Sequence, residues 1–169
     1  AAKSVMKLDI YEKERPVGIQ IFGANLDSML RSVDIVEKTN PDIIDINFGC
    51  PVKKVVCKGA GAGILKDIDK MEMLTREMAK RTKLPVTVKT RLGWDEKTIK
   101  IIEVAERIQD AGAKAITIHG RTRAQMYKGN ADWSLISEVK NNQRMKIPVF
   151  GNGDVNSPEK AVEMRDKDG

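Results

Sequence analysis

The sequence predicts an α/β fold in which about five consecutive βα units form part of a TIM (β/α)8 barrel. Short apolar runs rich in β-branched residues alternate five times with longer segments of helical period, and strands joined by helical crossovers are parallel. Such a chain forms either an open doubly wound sheet or a barrel. At about 31 residues per barrel unit, five units need about 155 residues, close to the 169 present. The length therefore favours part of a barrel.

Five runs predict the strands, at residues 17–22, 43–47, 86–89, 115–119 and 147–150. Each is short and mostly apolar, which is typical of a strand buried in a parallel sheet.

Between the strands, apolar positions follow the spacing of one helix face over residues 26–36 and 101–108. Gly112 stands where the end of the second helix favours a positive φ. Ser157 followed by Pro158 predicts the start of a last helix, because serine caps a helix and proline suits its first position.

Composition limits the function classes. No apolar run approaches the roughly 18 residues of a membrane span, and no basic-then-apolar leader stands at the start, so we expect a cytoplasmic protein without a membrane partner. Cys50 and Cys57 are too few for a disulfide framework, and without a nearby histidine they argue against zinc. The net charge of +6 leaves both a nucleic-acid partner and a plain solvated surface open. The oligomeric state is not predicted.

A polar residue lies in or just after the end of every predicted strand. Gln20 interrupts the first strand, Asn47, Lys89 and His119 end the next three, and Asn152 follows the fifth. A cap or a surface position explains one such residue, but the C-terminal ends of barrel strands open onto one face. Five in five strands therefore predict a shared polar pocket.

The residue types in this pocket suit a nucleotide-like cofactor such as a flavin. Amides pair with the edge of a planar heterocycle, lysine holds an anionic ring or a phosphate, and neutral histidine offers a donor and an acceptor. The segment 152–154 follows a strand and precedes a helix, where backbone N–H groups bind phosphate. The sequence contains no metal-ligand cluster, phosphate-binding glycine motif or Ser/His/Asp arrangement.

Cys50 stands between Gly49 and Pro51 at the end of the second strand. The proline favours an extended backbone at Cys50 and disfavours a helix. Cysteine is more often a small buried hydrophobe, but this placement favours a functional thiol. An ordinary thiol is mostly protonated at neutral pH, as a proton donor requires. Cys57 has no such placement.

The connection from Phe48 to about Lys66 is longer than the roughly two to six residues that usually join a strand to the following helix. Its three glycines within residues 59–63 predict either a flexible lid beside Cys50 or a tight turn where side chains do not fit. Long loops on the catalytic face of a barrel tend to serve function.

Four motifs resemble those of the tRNA-dihydrouridine synthases in order and spacing, from about Pro16 to the end of the chain. Residues 53–55 and 93–95 most resemble the bacterial B type. The motifs are DINFGCP at 45–51, VKTRLG at 88–93, IHGRTR at 118–123 and GNGD at 151–154.

The resemblance implies an enzyme that uses FMN, reduced by NADPH, to saturate the C5–C6 bond of particular uridines in tRNA. A hydride passes from flavin N5 to uracil C6, Cys50 gives a proton to C5, and the base first swings out of the folded tRNA. The implied contacts are Gln20, Lys89 and His119 with the isoalloxazine ring, Asn152, Gly153 and Asp154 with phosphate and ribitol, and Asn47, Arg91 and Tyr127 with the uracil.

The sequence departs from the family in what it lacks. The family's opening strand with an Ala-Pro-Met-like motif, its later Gly-Arg segment, its last strand and its C-terminal helical domain have no counterpart in residues 1–169. We therefore interpret the chain as a central fragment of the FMN-binding barrel and expect the fragment alone to be inactive.

Three alternatives stay open at this point. One is another flavin barrel of the dihydroorotate or dihydropyrimidine dehydrogenase type, which residues 93–95 and 119–122 fit poorly. The second is a non-catalytic RNA-binding barrel, against which Cys50, Lys89 and His119 argue. The third is a phosphate-binding barrel without flavin, which leaves Cys50 unexplained.

Overall fold

A computed structural model describes residues 8–168 and contains one five-stranded parallel sheet among them. The strands are β1 (Gly18–Ile21), β2 (Ile43–Asn47), β3 (Val86–Arg91), β4 (Ala115–His119) and β5 (Val149–Asn152). The helices are α1 (Leu26–Glu37), α2 (Lys53–Val56), α3 (Ile68–Arg81), α4 (Ile101–Asp110), α5 (Ser134–Asn141) and α6 (Pro158–Asp168), with short 3-10 helices at Glu12–Glu14, Gly61–Lys66 and Glu96–Thr98.

The order of the strands in the sheet is the order in the chain, β1-β2-β3-β4-β5, and all four pairings are parallel. A doubly wound sheet reverses its winding at a switch point, and this sheet does not. The longer helices also pack in a row, α1 against α3, α3 against α4, α4 against α5 and α5 against α6. The predicted fold class, part of a (β/α)8 barrel with five βα units, is confirmed.

The two faces of the sheet differ in chemistry. Ile44, Ile46, Val88, Ile116 and Ile118 are fully buried in the core beneath the helices. Because side chains alternate across a strand, the residues between them lie on the opposite side, which we call the polar face. Besides Ile43, Ala115 and Phe150, it carries the polar residues Gln20, Asp45, Asn47, Thr87, Lys89, Arg91, Thr117, His119 and Asn152.

The polar face corrects one sequence-based expectation. The sequence predicts buried strands, whereas Asp45, Asn47, Thr87 and Lys89 are only half-buried and Gln20 is exposed. A barrel strand covers its outer face with helices and turns its inner face toward the barrel axis. The polar residues on that side therefore mark the barrel interior.

The helices bury the predicted faces. In α1, Met29, Val33 and Val36 are buried, and α4 buries four residues between Ile101 and Ile108. Each fully buried aliphatic side chain contributes about 1.5–3 kcal/mol. The predicted caps are confirmed as well: Gly112 has φ +105° after α4, and Ser157 Oγ accepts a hydrogen bond from Lys160 N at 3.1 Å beside α6.

Strands β2 and β4 have the predicted bounds, and the others differ at their ends. β1 is shorter by one residue at each end. β3 continues to Arg91 because Thr90 and Arg91 pair with Ile118 and His119. β5 begins two residues later than predicted because Pro148 has no N–H for the ladder and only its carbonyl pairs, accepting from Ile116 N.

Among residues 8–168, no helix is both long and apolar enough to cross a membrane.

Candidate active site

The C-terminal ends of the strands bring the predicted polar residues to one mouth. Asn47, His119 and Asn152 are the last residues of β2, β4 and β5. Two positions differ from expectation. Lys89 does not end β3, because Arg91 does, and Asn152 belongs to β5 instead of following it.

Cys50 sits on a turn that Asn47 closes. The side-chain Oδ1 of Asn47 accepts hydrogen bonds from Gly49 N at 3.0 Å and from Cys50 N at 2.8 Å. The Cys50 carbonyl accepts from Ala62 N at 2.9 Å. The turn is thus held from both sides, with the thiol half-buried at the mouth.

The glycine-rich segment is a tightly packed support for this turn. Gly61 has φ +55°, and a Cβ there would lie 2.7 Å from the Cys50 carbonyl oxygen. A Cβ on Gly63 would lie 2.8 Å from the Val56 carbonyl oxygen. Residues 60–65 are buried. Of the two predicted roles, the structure agrees with a place where side chains do not fit and not with a flexible lid.

A chain of side-chain hydrogen bonds crosses the polar face. Thr87 Oγ1 and Gln20 Nε2 each donate to the carboxylate of Asp45 at 2.6 Å. Asn47 Nδ2 in turn donates to Gln20 Oε1 at 2.7 Å. Strands β1, β2 and β3 are therefore linked through polar side chains as well as through their backbones.

Lys89 is a cation near the centre of the polar face. Its Nζ donates to Asn152 Oδ1 at 2.9 Å. Burial lowers the pKa of Lys89 below its usual value, the nearby Arg91 lowers it further, and Asp45 opposes the shift. An ammonium group has three N–H donors, and within residues 8–168 only this one is used by the protein, which leaves donors for an anionic or carbonyl-bearing ligand.

His119 is held in its neutral form. Arg121 Nη1 lies 3.2 Å from His119 Nε2, and a guanidinium group only donates, so Nε2 is the acceptor and Nδ1 carries the proton. Burial, followed by the charges of Arg91, Lys89 and Arg121, lowers the pKa of His119 to about 4. At neutral pH the ring is therefore an uncharged hydrogen-bonding group.

Arg121 ties the fourth strand to the segment after the fifth. Its buried guanidinium donates through Nη2 to both carboxylate oxygens of Asp154, at 2.7 and 2.9 Å. Ala131 N also donates to Asp154, and these bonds hold the pKa of that carboxyl below its usual range. Gly153 and Asp154 both have positive φ. The Asp154 side chain is thus occupied by the protein, which leaves the backbone of residues 152–154 as the part suited to phosphate.

Arg91 joins the Cys50 turn to the loop after β4. Its Nε donates to the Gly49 carbonyl at 2.8 Å, and its Nη1 donates to the carbonyls of Met126 at 2.7 Å and Thr122 at 3.1 Å. Tyr127 follows in that loop with 70% of its surface exposed. Its ring centroid lies 5.5 Å from Arg91 Cζ and 6.5 Å from the His119 ring. The predicted site residues thus lie near the C-terminal ends of the strands or in the loops that follow them.

Sequence reasoning missed three residues of this arrangement, Asp45, Thr87 and Arg121. The signal for Asp45 and Thr87 was the alternation of polar and apolar residues at 44–47 in β2 and at 86–89 in β3, which indicates a strand with one polar face. Arg121 stands in the IHGRTR motif two residues after His119, but its carboxylate partner Asp154 meets it only in the folded chain.

Among residues 8–168, no group of three or more histidine, cysteine, aspartate or glutamate side chains is placed to hold a metal ion.

Comparison with known proteins gives one consistent family. The family described as dihydrouridine synthase (Dus) matches residues 1–169. The chain is 42% identical over 165 residues to the probable tRNA-dihydrouridine synthase 1 of Synechocystis sp., covering 98% of this chain and 45% of the relative. It is 41% identical over 153 residues to tRNA-dihydrouridine synthase B of Vibrio vulnificus, covering 90% and 47%.

A likeness to a solved structure concerns the fold alone. The crystal structure of a (putative) lactate oxidase of Pediococcus acidilactici matches with a TM-score of 0.53 and 19% identity, over 82% of this chain and 42% of that one. The chain spans under half the length of these relatives and of this structure.

Proposed function

This chain belongs to the dihydrouridine synthase family, and we propose that the protein reduces the C5–C6 bond of uridines in tRNA to form dihydrouridine. The observation that carries the proposal is the placement of Cys50, Lys89 and His119 in or just after the C-terminal ends of three neighbouring parallel strands, β2, β3 and β4. Residues 1–169 are, in this proposal, part of the catalytic barrel domain of a cytoplasmic enzyme.

Family membership implies a flavin, which we propose is FMN reduced by NADPH. The donor set on the polar face fits such a group. Lys89 and Gln20 supply N–H donors for the polar edge of an isoalloxazine ring, and neutral His119 lies on β4, the strand next to that of Lys89. The backbone of Asn152, Gly153 and Asp154 suits a phosphate, because it follows β5 and precedes α6, where backbone N–H groups bind anions. When bound and reduced, the flavin supplies the hydride for uracil C6.

The uracil site is assigned to Asn47, Arg91 and Tyr127. Asn47 keeps one N–H of its amide beyond the bond to Gln20. The exposed ring of Tyr127 offers a surface for a base that has left the tRNA stack. Arg91 fixes the distance between the Cys50 turn and this ring through its three backbone bonds, and its charge favours negative charge that develops on a uracil carbonyl.

Cys50 then has a defined task. As C6 receives the hydride, C5 gains electron density and takes a proton from the Cys50 thiol. The S–H bond breaks as the C5–H bond forms, and the thiolate regains a proton from water. Arg91 and Lys89 carry positive charge in the same mouth, which favours the transient thiolate.

The net charge of +6 suits a partner whose phosphates provide much of the affinity. The proposal therefore includes tRNA as the macromolecular partner.

A single preparation tests the cofactor and the substrate together. The protein as its gene encodes it should purify yellow, release FMN on denaturation, and form dihydrouridine on tRNA transcripts in the presence of NADPH. Lys89→Ala should weaken FMN retention about tenfold or more, because a charge-assisted hydrogen bond contributes about 1.5–3 kcal/mol. Lys83→Ala, an exposed lysine before the same strand, is the matched control and should retain FMN. Reduction of free uracil without activity on tRNA would contradict the proposal.

A further inference from the structure

We propose that Asp45 is a positioning residue, whose carboxylate anchors Gln20 and, through Gln20 and Asn47, steadies the turn that carries Cys50. The effect of Asp45 on turnover rests on the proposed function, whereas its effect on the geometry of the Cys50 turn does not.

Asp45 lies in the middle of β2, between the partners that it links. The register places it beside Gln20 of β1 and Thr87 of β3. Its Oδ2 accepts from Gln20 Nε2 and its Oδ1 accepts from Thr87 Oγ1, both at 2.6 Å. Both carboxylate oxygens are thus committed to neighbouring strands.

The hydrogen-bond chain has only one consistent direction. A carboxylate only accepts, so the Gln20 amide must turn its nitrogen toward Asp45 and its oxygen toward Asn47. At the other end, the backbone N–H groups of Gly49 and Cys50 only donate, so Asn47 must turn its oxygen toward them. The nitrogen of Asn47 then faces the oxygen of Gln20, as observed at 2.7 Å.

This direction makes the chain cooperative. If the Gln20 side-chain amide were flipped, its nitrogen would face the nitrogen of Asn47. If both amides were flipped, Asn47 would lose its hydrogen bonds to the Cys50 turn. Gln20 is otherwise exposed, and among residues 8–168 only Asp45 accepts a bond from its Nε2. Without Asp45, Gln20 is free to swing away from Asn47.

Asp45 also has an electrostatic influence, because its charge opposes the lowering of the Lys89 pKa. Two substitutions separate this influence from anchoring. Asp45→Asn removes the charge but keeps an acceptor for Gln20, with its own N–H₂ turned toward the Thr87 hydroxyl. Asp45→Ala removes both.

The test follows alkylation of Cys50 by iodoacetamide in a Cys57→Ser background, where Cys50 is the one cysteine left in this sequence. Asp45→Ala should raise the alkylation rate about fivefold, the equivalent of one net hydrogen bond, because the turn loosens. Gln20→Ala should do the same, and the double variant should add no more than about twofold, since both act through one chain. Asp45→Asn should stay within about twofold of the parent.

The matched control is Asp42→Asn, which alters a carboxylate just before the same strand. Asp42 accepts from Val17 N at 2.7 Å and pairs with Arg15, far from the mouth. This variant should lower the melting temperature and leave alkylation unchanged. Three results would each overturn the proposal. The first is that the effects of Asp45→Ala and Gln20→Ala on the alkylation rate add, and the second is that Asp45→Asn is alkylated as fast as Asp45→Ala. The third is faster alkylation in the control.

Alkylation needs neither flavin nor RNA, so a negative result here leaves the proposed function standing. Conversely, absence of dihydrouridine formation would leave the alkylation result interpretable. If both hold, Asp45→Ala should also lower kcat for tRNA reduction, and Asp45→Asn should restore it.

Discussion

At the scale of single residues, three neighbours hold the turn that carries Cys50. Its turn is closed by Asn47, supported by the close approach of Gly61, and fixed to the next loop by Arg91. The sequence predicted the turn from Gly49 and Pro51. It did not predict the roles of Asp45 or Arg121, because Gln20 and Thr87 reach Asp45, and Asp154 reaches Arg121, only in the folded chain.

Cys50→Ala should keep the flavin and lose turnover, because only the proton to C5 is removed. We expect kcat to fall by about 10²–10⁴, the range of general acid catalysis. FMN content, read from the absorbance spectrum, should stay at the parent level. Cys57→Ser, at the exposed second cysteine, is the control and should turn over normally. Parent-level turnover in Cys50→Ala would mean that the thiol is structural.

His119 gives a pH prediction. Its pKa in the folded protein, about 4, lies below the ordinary value near 6.5. The unfolded chain therefore binds a proton more readily between these pH values, so the stability that neutral His119 provides is present above about pH 6.5 and is lost as pH falls toward 4. An NMR titration should show the imidazole signal of His119, assigned by its loss in His119→Gln, unchanged from pH 8 to about 5.5.

Arg121→Leu should raise the pKa of His119 toward its ordinary value, because it removes both a nearby positive charge and the donor to Nε2. A His119 pKa near 6.5 in the parent protein would contradict the assigned environment.

At the scale of elements, the packing at the end of β5 depends on Gly151 having no side chain. The Trp133 ring packs where a Cβ of Gly151 would stand, and Trp133 Nε1 donates to the Gly153 carbonyl at 3.0 Å. The sequence predicted the fifth strand but began it at Ile147. Propensity identifies a strand more reliably than its ends, which depend on hydrogen bonds to β4.

Gly151→Ala should destabilise the protein by about 1–3 kcal/mol, the usual cost of overpacking, because the added methyl overlaps the Trp133 ring. The midpoint of urea unfolding measures this cost. Gly18→Ala is the matched control in β1, where a Cβ would meet Ile43 at an ordinary 3.5 Å, and its midpoint should change little. Equal midpoints for the two variants would contradict the described packing.

At the scale of the whole molecule, the sequence predicted the class of fold and the gathering of polar groups at one mouth. The length of the chain favoured part of a barrel, and the order of the strands in the sheet, which follows their order in the chain, confirmed it. The polar face was not foreseen as a continuous surface, although the alternation Ile44-Asp45-Ile46-Asn47 carries its signal. Alternating strands are typical of a half-solvated sheet as well as of a barrel interior, and the parallel pairing of all strands in chain order favours the barrel.

The central claim, that this barrel makes dihydrouridine in tRNA, is tested most directly in cells that lack the gene. Mass spectrometry of their purified tRNA should show uridine in place of dihydrouridine at one or more positions. The gene should restore the modification, and the Cys50→Ala variant should not. Unchanged dihydrouridine at every position after deletion, with no other synthase of the family in those cells, would contradict the claim.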